Sequence, residues 1–150
     1  MVLQSVATRL IPAALSGMTV LALVSPAVQG GRSGTGEVVA IREIQLKPGV
    51  DIAEFERFAV RTYNPGWEGA VPGMKGYIAK GDRGAQKGSY LLVFIFDSES
   101  TRNRIFPKEG GGPSERFTAL LEEPFSLGKE LERYVEPGTL SVYTDYVALR

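Results

Sequence analysis

The sequence predicts one α+β domain in which helices pack against one face of an antiparallel sheet. Strand-like and helix-like segments alternate in the order β-α-β-β-α-β, which is the first observation behind this fold class. The second is the segment Tyr90–Phe96, which is apolar at every position, so both faces of its strand should be covered. The third is size, because 150 residues with 43% hydrophobic side chains can form one ordinary domain but not two.

The first 27 residues have the composition of an export signal. No charged residue occurs between Leu10 and Gly31, and the small residues of Ser25-Pro26-Ala27 have the spacing that signal peptidases recognise. All 14 aromatic residues lie at or beyond Phe55, so this segment adds no aromatic side chain to a core. We therefore expect a signal peptide at 1–27, a Gly-rich linker at 28–36, a domain at 37–150, and an exported protein, either periplasmic or secreted. The alternative is a retained membrane anchor, since about 20 apolar residues can span a bilayer.

The charge balance and two missing residue types exclude several functions. Lys and Arg together number 17, as do Asp and Glu, so there is no basic surplus to bind nucleic acid or an anionic membrane. The chain contains no histidine and no cysteine. Catalysis by Ser-His-Asp or Cys-His groups, thiol redox chemistry, disulfides and metal ligation by imidazole or thiolate are therefore excluded. We expect no cofactor and no metal.

The first strand and the first helix have clear boundary signals. Val38 to Lys47 is rich in β-branched residues and is followed by Pro48-Gly49, which predicts a strand whose one face carries Val38, Ala40, Ile44, Leu46 and Arg42. Asp51 can cap a helix from about Ile52 to Tyr63. Asn64-Pro65-Gly66 is expected to stop that helix.

Two further strands, Met74 to Lys80 and Ser89 to Phe96, are joined by a polar, glycine-rich loop of hairpin character. Ser98 can then cap a short helix that reaches about Phe106.

A breaker-rich loop at 107–113 precedes a second helical region, in which Pro124 is expected to kink or split the helix. Its apolar stripe is predicted to comprise Phe117, Leu120, Leu121, Leu127, Leu131 and Tyr134, and a last strand is predicted from Ser141 to Leu149.

These elements and their turns together resemble a known superfamily. The resemblance lies in the Lys-Pro-Gly close of the first strand, the Asp51 helix, Val71-Pro72-Gly73-Met74, and the strand Tyr90–Phe96 running into Asp97-Ser98-Glu99-Ser100. In this order they resemble the dimeric α+β-barrel superfamily of ferredoxin-like fold, whose members include antibiotic-biosynthesis-type monooxygenases. The resemblance covers Glu37 to Arg150.

The resemblance implies a homodimer in which two sheets pack face to face, with a pocket between each sheet and its helices. This arrangement would cover the second face of the doubly apolar strand. The haem-binding branches of the superfamily hold iron through a histidine, which this chain lacks. Its cofactor-independent monooxygenases use an asparagine in the third strand, and Tyr90–Phe96 contains none.

Five residues are candidates for ligand binding. Arg42 interrupts an apolar strand face, where its guanidinium could bind a carboxylate or enolate, or could instead form an ion pair or reach solvent. Tyr63, Asn64 and Trp67 cluster at the end of the first helix and could line a pocket mouth, or could simply stop the helix and cover the core. Tyr77 could face a ligand or pack against an aromatic neighbour such as Tyr90.

Two hypotheses remain open at the level of sequence. The first is a non-catalytic homodimer that binds a small apolar or aromatic molecule. The second is a cofactor-independent enzyme, monooxygenase-like or isomerase-like, acting on such a molecule. No set of acid, base and nucleophile can be recognised in the sequence, so catalytic residues are not assigned. The membrane would be a partner only if the first segment were retained.

Overall fold

The computed structural model describes residues 36–149. The predicted signal peptide at 1–27 and nearly all of the linker at 28–36 therefore lie outside the described residues. Within 36–149, no helix has the length and apolar character needed to cross a membrane.

The described residues form a four-stranded sheet: β1 (Val38–Ile44), β2 (Met74–Lys80), β3 (Tyr90–Phe96) and β4 (Thr144–Val147). The strands lie in the order β2-β3-β1-β4, and each neighbouring pair is antiparallel. Because β1 and β3 are central and the hairpin β2-β3 flanks a split β-α-β unit, this is the ferredoxin-like arrangement. The predicted fold class is confirmed.

The strand register separates the sheet into an inner face, covered by helices, and an outer face. Ala40 lies opposite Phe94, which lies opposite Gly76, and all three belong to the inner face. Their chain neighbours point the other way because side chains alternate along a strand. The outer face therefore carries apolar side chains from three strands: Val39, Ile41, Tyr77, Leu91, Val93 and Ile95.

The first helical segment continues beyond its predicted end. Asp51 caps α1 (Ile52–Phe58) as expected, accepting hydrogen bonds from the backbone N–H groups of Ala53 and Glu54 at 2.8 and 3.2 Å. A π-helical turn (Ala59–Tyr63) and the short helix α2 (Asn64–Trp67) follow without a break. The prediction that Asn64-Pro65-Gly66 stops the helix is wrong. The wider π turn comes directly before the proline, which lacks an N–H for a regular helical bond.

Two further helices cover the other half of the sheet. Ser98 caps α3 (Glu99–Ile105) as predicted, and α4 runs unbroken from Glu115 to Leu131. Pro124 lies inside α4, so it does not split the helix. Leu120 was expected in the apolar stripe but is 48% exposed, while Phe117, Leu121 and Leu131 are buried.

The last strand is shorter than predicted because loop residues satisfy the backbone at the end of β1, whereas β2 has its predicted bounds. The N–H of Gln45 donates to the Thr139 hydroxyl at 3.2 Å, and that hydroxyl donates to the carbonyl of Glu43 at 3.1 Å. A 3₁₀ turn (Thr139–Ser141) therefore occupies the edge where the last strand was expected to begin. β4 starts only at Thr144.

An aromatic cluster fills the space between the inner face and the helices. The Phe58 ring stacks on Tyr134 with centroids 5.2 Å apart, and the Trp67 ring meets Phe94 edge-on at 4.8 Å. Phe55 is fully buried at the centre. Aromatic burial of this extent is a major source of stability for a small domain.

Candidate functional site

A cleft of about 850 Å³ opens between the inner face of the sheet, α3 and the loop that follows it. Its walls combine aromatic rings with a few polar groups, and they include Arg42, Trp67, Phe94, Phe96, Arg102, Phe106, Phe125, Tyr143, Asp145 and the glycines at 110–112. This size and this mixture are typical of small-molecule sites. Trp67 and Phe94 of the aromatic cluster form the boundary between that cluster and the cleft.

Arg42 projects from the centre of β1 into this cleft. Its Nε donates to the carbonyl oxygen of Leu140 at 3.0 Å, and its guanidinium carbon lies 4.9 Å from the ring centroid of Tyr143 and 5.5 Å from that of Phe94. Within residues 36–149, no carboxylate lies within 4.0 Å of the guanidinium, and its terminal nitrogens make no hydrogen bond. Burial lowers the pKa of Arg42, and the more distant Asp145 opposes this shift.

Trp67 forms the cleft wall next to Arg42, where the π turn and α2 place it. Its side chain is 3% exposed, and its indole Nε1 has no hydrogen-bond partner among the described residues. The ring of Tyr63 lies next to that of Trp67, with centroids 6.3 Å apart. Burial raises the pKa of Tyr63, so this phenol stays neutral near pH 7.

Gly76 allows Trp67 and Phe94 to pack directly on β2. A Cβ at this position would lie 2.7 Å from the Phe94 ring and 3.0 Å from Trp67. A larger residue would therefore push both rings towards the cleft. Glycine inside a strand often marks such a close approach, and this is the signal by which the sequence could have indicated the site.

Asn64 is occupied elsewhere, although it is only three residues from Trp67. Its Oδ1 accepts from the backbone N–H of Ile78 at 2.7 Å, and its Nδ2 donates to the carbonyl of Ile78 at 3.2 Å. These two backbone groups point away from β3, along the free edge of β2. The structure thus places Asn64 at the sheet edge and not in the cleft.

Tyr77 lies on the outer face of the sheet, opposite Val93 in the register. Arg42 and Trp67 belong to the inner face, so the sheet itself separates them from Tyr77. Of the five candidates, the structure brings Arg42 and Trp67 into the cleft and places Tyr63 behind Trp67.

Three features of the cleft were not predicted. Arg102, which is not among the five candidates, forms an ion pair with Asp145 of β4, and both side chains are largely buried. Tyr143 lies inside the predicted last strand, and nothing in the sequence around it indicated a role in ligand binding. The glycines at 110–112 indicated only a loop. Within the described part of the chain, no three acidic side chains are grouped as a metal ion would require.

Comparison with known proteins assigns no family to the chain. No protein-family model matches it, and no curated protein is significantly similar. One solved structure that resembles it is a dimeric protein of unknown function and ferredoxin-like fold from Bacteroides fragilis, at 17% identity and a TM-score of 0.46. The match covers 75% of this chain and 97% of that one.

Proposed function

We propose that the cleft binds a small aromatic molecule that carries an anionic group, and that Arg42 holds the anion. One observation carries this proposal: a partly buried guanidinium whose terminal nitrogens have no partner among the described residues. Burial weakens the hydration of this charge and Asp145 compensates only from a distance, so a ligand carboxylate would supply a direct counter-charge. An arginine fork also offers two parallel donors to a planar anion.

The rest of the cleft supports an aromatic ligand. Trp67, Phe94 and Tyr143 surround the guanidinium with flat apolar surface. Tyr63 is held in its neutral form, so it is not poised to accept a proton near pH 7. We therefore propose a binding role and assign no catalytic step to the cleft.

The charge requirement is tested with two probes of nearly the same shape, one anionic and one neutral. Naphthalene-2-carboxylate and the neutral naphthalene-2-carboxamide are titrated by calorimetry against the wild type and Arg42→Met. A charge-assisted hydrogen bond contributes about 1.5–3 kcal/mol, so the carboxylate should bind the wild type about 10- to 100-fold more tightly than the amide. Arg42→Met should abolish this preference.

The matched control is Arg57→Met, which removes an exposed arginine on α1. It should retain the full preference for the carboxylate. Equal affinity of the wild type for the two probes would overturn the proposed anion site. So would an undiminished preference in Arg42→Met.

We further propose that the outer face pairs two copies of the chain into a homodimer. Val39, Ile41, Leu91, Val93 and Ile95 form an apolar surface on the side of the sheet opposite the helices. Burial of hundreds of Å² there would stabilise a dimer by several kcal/mol, at about 25 cal/mol per Å². Light scattering should give the mass of a dimer for the wild type and of a monomer for Ile95→Glu. A monomeric wild type at micromolar concentration would contradict this proposal.

We also propose that the protein is exported, with loss of residues 1–27. The support is the uncharged run from Leu10 to Gly31 and the small residues at its end. Intact-mass measurement of the full chain, expressed with its own N-terminus in a bacterial host, tests this. A periplasmic product that begins near residue 28 is expected, and a full-length product in the membrane fraction would favour the anchor.

A further inference from the structure

We propose that residues Pro107–Pro113, here called the strap, form a lid over the cleft, and that Tyr143 couples this lid to Arg42. The inference builds on the proposed anion site, but its structural basis is separate. It assigns to Tyr143 the role of a positioning residue that links ligand binding to lid closure.

The strap is a loop whose ends are fixed and whose middle is loosely held. At its base, the Ser114 N–H donates to the carbonyl of Ile105 at 2.8 Å, and the Ser114 hydroxyl donates to that of Arg104 at 2.9 Å. Compact surface loops with adjoining ends are frequently functional. All seven strap residues line the cleft.

The middle of the strap contains three consecutive glycines. Gly110 has a φ of +64°, and a Cβ added at Gly110 or Gly112 would meet no atom within 4 Å. Nothing therefore packs against Gly110 and Gly112 where a side chain would project, and a Cβ at Gly111 would meet only Lys108 of the strap itself, at 3.1 Å. Glycine also gives the backbone access to conformations that other residues avoid, so this segment can move at low energetic cost.

Tyr143 makes the contact that holds the strap down. Its hydroxyl oxygen accepts a hydrogen bond from the Gly110 N–H at 3.0 Å. Among residues 36–149, this is the one hydrogen bond between positions 107–113 and a residue outside the strap. Release of this bond would free the strap between its two fixed ends.

The same side chain contacts the proposed anion site. The ring of Tyr143 lies under the Arg42 guanidinium at 4.9 Å, within the range of a cation–π interaction. An anion that engages Arg42 changes the charge above this ring, and the hydroxyl at the far end of the ring holds Gly110. Ligand binding and strap closure therefore act on one rigid side chain.

Stopped-flow fluorescence with 8-anilinonaphthalene-1-sulfonate, an aromatic anion, tests this role. Trp67 is the only tryptophan of the chain and lines the cleft, so energy transfer from it reports binding there. Tyr143→Phe keeps the ring and removes the hydroxyl that accepts the hydrogen bond from the Gly110 N–H. Its association and dissociation rates should both rise about three- to tenfold, with the Kd changed less than about twofold.

Tyr143→Leu, which also removes the ring, should weaken the Kd as well as accelerate exchange. Rates in Tyr143→Phe equal to those of the wild type would overturn the proposal. An increase in Kd with unchanged association would also overturn it, because that result describes a residue that only contacts the ligand.

Limited proteolysis tests the strap without any ligand. Lys108 is exposed within the strap, and Lys87 is exposed in the loop between β2 and β3. Trypsin should cleave Tyr143→Phe after Lys108 faster than it cleaves the wild type, with cleavage after Lys87 unchanged. If the fluorescent probe does not bind, the proposed anion site is contradicted. The proteolysis measurement then still tests whether Tyr143 holds the strap in place. Equal cleavage at Lys108 in both proteins would overturn it.

Discussion

The two ends of the sheet's inner face differ in how their polar groups are satisfied. At the end formed by the last residue of β2 and the first of β3, the Glu56 carboxylate accepts from the Tyr90 hydroxyl and from Lys80, each at 2.5 Å. At the cleft end, the terminal nitrogens of Arg42 and the indole N–H of Trp67 have no partner among the described residues. Buried polar groups of native proteins are usually paired, so the end with unpaired donors is the one where we propose that a ligand binds.

The largest expected effect comes from removing a buried ring at the end of the inner face where Glu56 pairs with Tyr90 and Lys80, here called the closed end. Phe55 is fully buried and meets Tyr90 edge-on at 5.0 Å. Phe55→Ala should lower the free energy of unfolding by about 3–5 kcal/mol, because it leaves a cavity among rings that cannot collapse. Urea denaturation measures this loss. Phe125→Ala removes a ring at the cleft that is already 40% exposed, so it should lower the free energy of unfolding far less. Equal losses in the two variants would contradict the distinction between the two ends.

An intermediate effect is expected where the cleft wall meets the sheet. Gly76→Ala places a Cβ 2.7 Å from the Phe94 ring, so overpacking should destabilise the fold by about 1–3 kcal/mol. Trp67 should move towards the cleft, and its emission maximum should shift. Gly128→Ala is the control, because its Cβ would meet no atom within 4 Å inside α4. It should stabilise the protein by up to about 1 kcal/mol.

The smallest effect concerns pH and the closed end. Hydrogen bonds from Lys80 and then Tyr90 lower the pKa of Glu56 from its ordinary value of 4.5. Glu56 therefore adds stability that is fully present above pH 4.5 and is lost as the pH falls through its lowered pKa. Tyr90→Phe should bring that pKa closer to 4.5, as measured by NMR titration. The stability difference from the wild type should shrink in acid, and a constant difference across pH would contradict this assignment.

The sequence predicted the fold well because its signals are local. Asp51, Ser98 and the strand Tyr90–Phe96 each act through their own neighbours, and all three lie where expected. The continuation through Asn64-Pro65-Gly66 was missed because a π turn depends on packing that no local pattern records. The shortened last strand was missed for a similar reason, since Thr139 replaces it through contacts 94 and 96 residues away.

The candidate site was predicted only in part. Arg42 stood out because a charged residue on an apolar strand face is a local anomaly, and Trp67 because it clusters with Tyr63 and Asn64 at the end of the first helix. Tyr143 and Arg102 could not be found in this way, because their roles depend on partners that the fold brings from distant parts of the chain. Tyr77 and Asn64 had suitable chemistry but lie on the far face and at the edge of the sheet.

The amide of Asn64 has a consequence for how the protein can associate. By occupying the N–H and C=O of Ile78, it removes two of the outward-facing backbone groups that a strand added to β2 would need. Extension of the sheet by a second chain at this position would first require displacement of the amide. The side chain thus makes edge-to-edge addition at β2 less favourable, a form of protection that natural sheets need at their borders.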